Sequence, residues 1–421
     1  MDWQSTLLMQ GARAYIGRLM HLQHQPLGYP EPHHFRPMPL YVHVPFCESL
    51  CPFCPFHRIK LDVDLADRYF AALENEVDKL ALLGYQFNEL YIGGGTPTTR
   101  PVALASLIQK VRRHWSLQNT AVETNPNHLR SSVLAPLLDA GVTRLSVGVQ
   151  SLNDERLAAI GRLNAYGSGE AIMKAIERTQ GIFPTFNVDM IFNLPEQTTS
   201  ELTTDIKKLK QSGVDQISFY PLMPSPQTAI TLPTGGKDHS HPAFGNVSYE
   251  NEQLMYDHIV AALAPEYQLG SVWCFNRKPQ LVDEYIINNE SYLGIGSGAF
   301  SLLDCGFYAT TFDIEKYVQD SFSGAQMFVG RQQLSKTQQQ RYQLLTALFG
   351  LSVSQDVLTE QRNLIECLVY LGVVEKQVLQ HPVRLTYALT KKGRYWWLVL
   401  MREFFMGVNR YRRDMRSLAG L

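Results

Sequence analysis

Between residues 40 and 220 short apolar runs alternate with longer amphipathic stretches, and this alternation limits the fold more than any other feature. Residues 40–44, 89–92, 121–124, 144–149, 186–191 and 216–220 read as strands. Helical spacing of apolar residues fills the gaps, over about 65–83, over 102–114 and in a stretch ending at Gly141. Repeated strand–helix units predict a parallel sheet with right-handed crossovers, and six of them predict a partial or full (β/α) barrel. In such barrels the chemistry sits on the loops that follow the strands.

The flanks differ. Residues 1–24 carry Trp3, Leu7, Leu8, Tyr15, Leu19 and Leu22 at helical spacing, and a proline-rich stretch follows over 26–39. Residues 225–241 are rich in Pro, Thr, Gly and His and read as a loop. Beyond 330 the pattern changes. Short helices are expected at 337–349, 357–360 and 363–371, then a hairpin strand at 383–389, an order that is winged-helix-like. Three parts result: a lead-in at 1–39, the barrel with an extension at 40–330, and an α+β domain at 331–421. A chain of 421 residues suits two or three domains of about 100 to 200 residues.

Lysine plus arginine (38) balances aspartate plus glutamate (39), which removes any global electrostatic case for a nucleic-acid partner. The apolar run 396–401 is too short to span a bilayer. The first residues lack a charged start and apolar signal core, so a cytoplasmic protein is expected.

Of six cysteines, three lie in residues 41–58, which read YVHVPFCESLCPFCPFHR. Cys47, Cys51 and Cys54 form a local CxxxCxxC cluster, unlike the spread of a secreted disulfide framework. Thiolates hold iron–sulfur clusters, commonly in sets of four. Three leave one iron of a cubane open, as a catalytic metal position must be. SAM (S-adenosylmethionine) can chelate that iron through its amino and carboxylate groups. The competing reading is a structural zinc completed by His43 or His57. Zinc sites usually pair CxxC with a second CxxC or HxxxH, and neither occurs here.

The motif YVHVPFC…CPFC resembles the radical SAM family of oxygen-independent coproporphyrinogen III dehydrogenase, over about residues 40–300. The resemblance implies an oxygen-sensitive enzyme with a [4Fe–4S] cluster on Cys47, Cys51 and Cys54. It also implies Phe53 beside the adenine, reduced flavodoxin or ferredoxin as electron donor, and a 5′-deoxyadenosyl radical as oxidant. YIGGGTPT at 91–98 is similar to the family's glycine loop, which implies that Gly94, Gly95 and Thr96 contact the methionyl amino group. Glu123 in VETNP, Gln150 closing LSVGVQ, Arg162, and Asp189 with Ile191 in NVDMIFNLPEQT fall where the family binds SAM. The resemblance implies that Glu123 and Gln150 lie near two SAM molecules. Arg162 suits a carboxylate bidentately, and Glu123 and Asp189 suit amino or hydroxyl donors. Tyr41 is a further SAM contact, and Tyr41, Tyr220 and Glu123 are the candidate proton acceptors. YLGIGSGAF at 292–300 looks like the family's late, substrate-side glycine motif.

The family includes porphyrinogen decarboxylases, a haem chaperone, haem-ring-opening enzymes and class C methyltransferases. Pro55–Phe56–His57 replaces the glycine–cysteine run of the decarboxylases and the aspartate of the chaperone, and SVWCFNR at 271–277 also departs from the decarboxylase. Residues 394–416, RYWWLVLMREFFMGVNRYRRDMR, form a basic helix rich in aromatics that suits a membrane interface, and Arg13 and Arg18 give the first helix a similar character. Methylation of an sp² carbon on a membrane-borne quinone such as menaquinone (C-8) is therefore the expected activity. Porphyrin or haem modification is the enzymatic alternative. A haem chaperone using His33–His34, His43 or Cys274 is the non-enzymatic one.

Overall fold

The computed structural model describes the chain except residues 1–9, 12–13, 20–21, 33–35, 224–248, 279–285, 288, 305, 325–326, 356–360, 381–382 and 419–421. The expected loop at 225–241, the expected helix at 357–360, Trp3, Leu7, Leu8, Arg13 and His33–His34 lie outside the described residues.

The six strands predicted between residues 40 and 220 all form, and they lie in one sheet. Its members are β1 (Met38–Val44), β2 (Phe87–Gly94), β3 (Asn119–Thr124), β4 (Arg144–Gln150), β5 (Thr185–Phe192), β6 (Gln216–Pro221), β7 (Gln268–Leu269), β8 (Cys274–Asn276) and β9 (Leu293–Ile295). The spatial order is β7-β8-β6-β5-β4-β3-β2-β1-β9. Strands β1 to β6 are parallel to their neighbours, and β9 adds in parallel beside β1. Strands β8 and β7 extend the other edge antiparallel. With β7 and β9 left as edges the barrel is partial. Every residue of β1 is buried, as expected of a parallel strand covered on both faces.

Local chemistry fixes the crossover helices. Val63–Leu82 starts at Asp62, whose side chain accepts from the Leu65 amide. Thr199–Ser212 opens on a Thr198–Glu201 capping box and ends at Gly213, where φ is +70°.

A second, antiparallel sheet runs Gln23–Leu27, Phe328–Gln333, Gly306–Thr310, Phe300–Leu303. It corrects the expected helix through residue 24. Residues 14–19 are helical, but the chain is extended from Gln23, which pairs with Arg331. QHQPL shows no apolar alternation. Its place comes from backbone pairing, and Pro26 is tolerated because the strand lies at the sheet edge.

Beneath this region Glu76 is fully buried, and the hydroxyls of Tyr29 and Tyr317 both donate to its carboxyl group. Burial pushes Glu76 up to about 7, against the two tyrosine bonds, which lower it. The fold therefore favours the neutral acid. That contribution is complete below the ordinary value of 4.5 and is lost as pH rises through about 7. Glu76→Gln is expected to remove a pH dependence of stability on the order of 3 kcal/mol across that window. Urea unfolding on either side of the window measures it, and a variant that keeps the wild-type slope rules Glu76 out as its source.

The C-terminal elements are Lys336–Phe349, Ser352–Ser354, Arg362–Tyr370, Val374–Gln380, Val383–Leu389 and Lys391–Leu418, with the three strands forming one antiparallel sheet. The expected helices at 337–349 and 363–371 and the strand at 383–389 form, with the strand Ser352–Ser354 between the two helices and the long helix Lys391–Leu418 after the hairpin. The terminal helix, Lys391–Leu418, overturns the membrane-interface expectation. Trp396, Trp397, Phe404, Met406, Val408, Tyr411 and Met415 are buried, and so are Arg402, Glu403 and Arg412. Its aromatics pack inside the protein, with Phe404 against Tyr342 and Phe405 beside Trp273. Among the described residues no helix is long and apolar enough to cross a membrane.

Candidate active site

The C-terminal ends of β1 to β6 converge on a cavity of about 270 Å³. Cys47 closes a short strand, Phe46–Cys47, just after β1, and Cys51 and Cys54 lie in the loop beyond it. All three thiols line the cavity. Burial pushes Cys47 up to about 12 and raises Cys54 as well. Burial thus favours the thiol form of Cys47 and Cys54 in the bare protein, and a bound metal's positive charge would displace their protons. Donors already face two of the sulfurs. Thr96 Oγ1 donates to Cys47 Sγ at 3.5 Å, and Arg162 Nη1 donates to Cys51 Sγ at 3.2 Å. Such donors steady a charged sulfur and tune a cluster bound to it.

The zinc alternative loses its extra ligand. Tyr41 Oη lies 2.9 Å from His43 Nδ1, and His43 Nε2 lies 2.9 Å from the His57 carbonyl. Since a carbonyl only accepts, Nε2 carries the proton and Tyr41 donates to Nδ1. Burial, then the charge of Arg412, lowers His43 to about 3, so the ring stays neutral. His57 Nε2 contacts Ser297 Oγ at 3.1 Å. Among the described residues no three His, Cys, Asp or Glu side chains gather as a single-ion site.

The glycine loop is tight because it is threaded between neighbours. A Cβ on Gly94, where φ is +114°, would meet the His43 ring at 2.5 Å, and one on Gly95 would meet the Phe46 backbone oxygen at 2.8 Å. Glu123 accepts from the Gly94 amide at 3.0 Å and from Tyr91 Oη at 3.0 Å. Burial raises its carboxyl above the usual range, against these bonds. Asp189 accepts from Ser146 at 2.8 Å and from Asn187 at 2.7 Å. Gln150 sits at φ +76°, where a bulge interrupts the β4–β5 pairing. A non-glycine residue held there is strained and aimed by its surroundings. Gln150, Asp189 and Ile191 all line the cavity, as do Tyr41, Phe53, Gly94, Gly95 and Glu123. Phe53 also packs with Ile160, Tyr166, Leu194 and Leu222.

Besides Cys51, the Arg162 guanidinium donates to Asn125 Oδ1 at 2.8 Å and to the Gly148 carbonyl, and it lies 4.0 Å from the Tyr166 ring centre. These contacts place it on the cavity wall beside Cys51. Thr96 is buried beneath the loop and accepts from Asn125 Nδ2 at 2.6 Å.

Three residues escaped the sequence reading. Asn125 follows Glu123 by two positions and links Thr96 to Arg162. Arg58 ends the cysteine motif, and its Nη2 donates to the Cys51 carbonyl. Both stood inside motifs already singled out. Arg412 had no such signal, being one arginine of six in a helix read as basic surface. Phe404, Phe405, Val408 and Arg412 of that helix line the same cavity, with Trp273, Phe300 and Phe307.

Residues 41–209 match the family model described as the radical SAM superfamily. The haem chaperone HemW of Bacillus subtilis is 31% identical over 275 residues, covering 62% of this chain and 69% of that protein. The oxygen-independent coproporphyrinogen III oxidase of Salmonella typhimurium is 28% identical over 316 residues, covering 69% of this chain and 66% of that protein. The structure of coproporphyrinogen III oxidase (HemN) from Escherichia coli shares the fold, with a TM-score of 0.68 at 22% identity, over 94% of this chain and 93% of that one. With its trio of thiols, glycine loop and partial barrel, the chain belongs to the radical SAM family of HemW and the oxygen-independent coproporphyrinogen III oxidases, whose cofactors are a [4Fe–4S] cluster and SAM.

Proposed function

We propose that this chain cleaves SAM reductively and turns the resulting radical on a large substrate built of aromatic or pyrrole rings. When bound, the cluster supplies the electron for that cleavage. The aromatic chamber carries the ring reading: Trp273, Phe300, Phe307, Phe404 and Phe405 face the same cavity as the three thiols. Edge and offset packing against such faces suits aromatic and pyrrole rings. Gly94 and Gly95 give backbone room for the methionyl end of SAM, Glu123 and Asp189 offer acceptors, and Phe53 with Ile191 offers an apolar seat for adenine. Reduced flavodoxin or ferredoxin is the fitting electron donor.

The names of the relatives support a tetrapyrrole as the ring, and more strongly than they support a quinone. Porphyrin or haem modification is thus the reading that the family favours.

A quinone is the second reading, favoured by one observation. The described cavity lining holds three guanidiniums, of Arg58, Arg162 and Arg412, and the first two already donate to Cys51. Among the described residues the rest of that lining is largely aromatic and aliphatic, which suits a nearly neutral ring such as menaquinone. Methylation of its sp² carbon would use one SAM as radical source and a second as methyl donor, with Tyr41 or Glu123 taking the ring proton.

Anaerobically reconstituted protein, given labelled SAM and in turn coproporphyrinogen III, haem and menaquinone, tests the readings by mass spectrometry. A decarboxylated or opened macrocycle supports the tetrapyrrole. A quinone one labelled methyl heavier supports the quinone. Stoichiometric haem binding with no product and no SAM cleavage overturns both in favour of a chaperone.

A further inference from the structure

Strand β3 ends at Thr124, and Pro126 opens a short turn, Pro126–His128. Asn125 lies between them in extended backbone, at φ −122° and ψ 160°, the conformation that proline imposes on the residue before it. An asparagine at the start of a helical turn ordinarily caps it with its side chain. Asn125 makes no such bond. It is buried and lines the cavity instead.

There its carboxamide meets two groups that donate to sulfur. Nδ2 donates to Thr96 Oγ1 at 2.6 Å, and Thr96 Oγ1 donates to Cys47 Sγ at 3.5 Å. Oδ1 accepts from Arg162 Nη2 at 2.8 Å, and Arg162 Nη1 donates to Cys51 Sγ at 3.2 Å. One carboxamide thus joins two of the three thiols through two donors. Its orientation is fixed by chemistry. A guanidinium only donates, so the oxygen faces Arg162 and the NH2 faces Thr96. The Thr96 hydrogen cannot then point back at the amide nitrogen, and Cys47 Sγ stands within reach to accept it. Arg162 has the Gly148 carbonyl and the Tyr166 ring as further anchors, so the arm through Thr96 depends more on Asn125. Hydrogen bonds to cluster sulfurs raise the reduction potential, because they stabilise the negative charge that reduction adds.

We propose that Asn125 is a positioning residue for the cluster: its carboxamide aims Thr96 at Cys47, braces Arg162 at Cys51, and so raises the potential at which the cluster accepts its electron. This rests on the three thiols holding the cluster. Position 125 needs a side chain that donates on one side and accepts on the other. A carboxylate there would offer acceptors alone. It would draw the Thr96 hydrogen into a charge-assisted bond and leave Cys47 without it.

The test is anaerobic redox titration of the reconstituted full chain, followed by the EPR signal of the reduced cluster. Asn125→Asp and Thr96→Val are each expected to make reduction about tenfold less favourable, a potential about 59 mV lower for a one-electron couple. Thr96→Ser keeps the hydroxyl and should stay near wild type. Asn125→Leu removes the amide without adding charge and should lower the potential by a smaller step. The double variant separates charge from hydrogen bonding. With Thr96→Val in place the hydrogen is already gone, so adding Asn125→Asp should shift the potential less than it does alone. Iron content and circular dichroism verify loading and folding. Should Asn125→Asp fail to load, Asn125→Leu carries the test. Shifts that add in full overturn the proposal, because Asn125 then acts by charge alone. Wild-type potentials in loaded Asn125 variants overturn it too, and leave the cluster assignment standing. A parent protein that takes up no iron refutes that assignment, and the proposal falls with it.

Discussion

Cys51→Ala is expected to strip the protein of iron and of all SAM cleavage. Among the described residues three thiols face the cavity, so a missing one removes one of three anchors. Cys51 is also the most heavily supported of the three. Arg162 Nη1 lies 3.2 Å from its sulfur, and Arg58 holds its carbonyl. After the substitution the Arg162 guanidinium, 3% exposed, loses an acceptor in a site where unpaired charge is costly. Iron should fall from about four per chain to near none, with the visible absorption of the cluster lost in parallel. Wild-type iron in the variant would refute the assignment. Tightly bound zinc without iron in the parent protein would end the radical reading altogether.

Arg402→Met should be the most destabilising substitution in the terminal helix. Arg402 is 1% exposed, pairs with Glu252 on the helix Tyr249–Leu263, and lies 3.3 Å from Glu403. Tyr395 Oη donates to the same Glu252 at 3.2 Å. Burial raises the Glu252 carboxyl, and the charge of Arg402 and the bonds from Arg402 and Tyr395 bring it back down. Without the arginine two buried carboxyl groups face one another, a change expected to cost about 3–5 kcal/mol. Denaturant unfolding measures that loss. Adding Glu252→Gln to Arg402→Met should restore much of it, because a neutral group replaces a stranded charge. A single variant within 1 kcal/mol of wild type would mean that the pair does not hold the helix in place.

The barrel was readable because its determinants are local. Asp62, Thr198 with Glu201, and Gly213 mark helix ends within a few residues of the groups they satisfy. Strand β1 announces itself as an unbroken buried run after a proline. The cysteine loop was readable for the same reason, since its three ligands fall within eight residues. The terminal helix was not. Arginines interleaved with aromatics describe a membrane face and a buried wall equally well. Its position is decided by Glu252, 150 residues earlier in the chain. Gln23–Leu27 escaped because its pairing partner, Phe328–Gln333, leaves no trace in QHQPL. Spacing alone cannot show that Cys51 and Asn125 lie within reach of Arg162. The substrate escaped for another reason. The relatives share this barrel under different names, so the barrel's motifs do not choose among them.

The terminal helix also orders the protein's assembly. The strands bearing the thiols and the glycine loop are synthesised before residues 391–418, and domains generally begin to fold as they leave the ribosome. The contact that seats the helix is long in sequence, and contacts of that kind form late because loop closure must be met first. Until that helix docks, the cavity lined by the three thiols lacks the wall that Phe404, Phe405, Val408 and Arg412 supply.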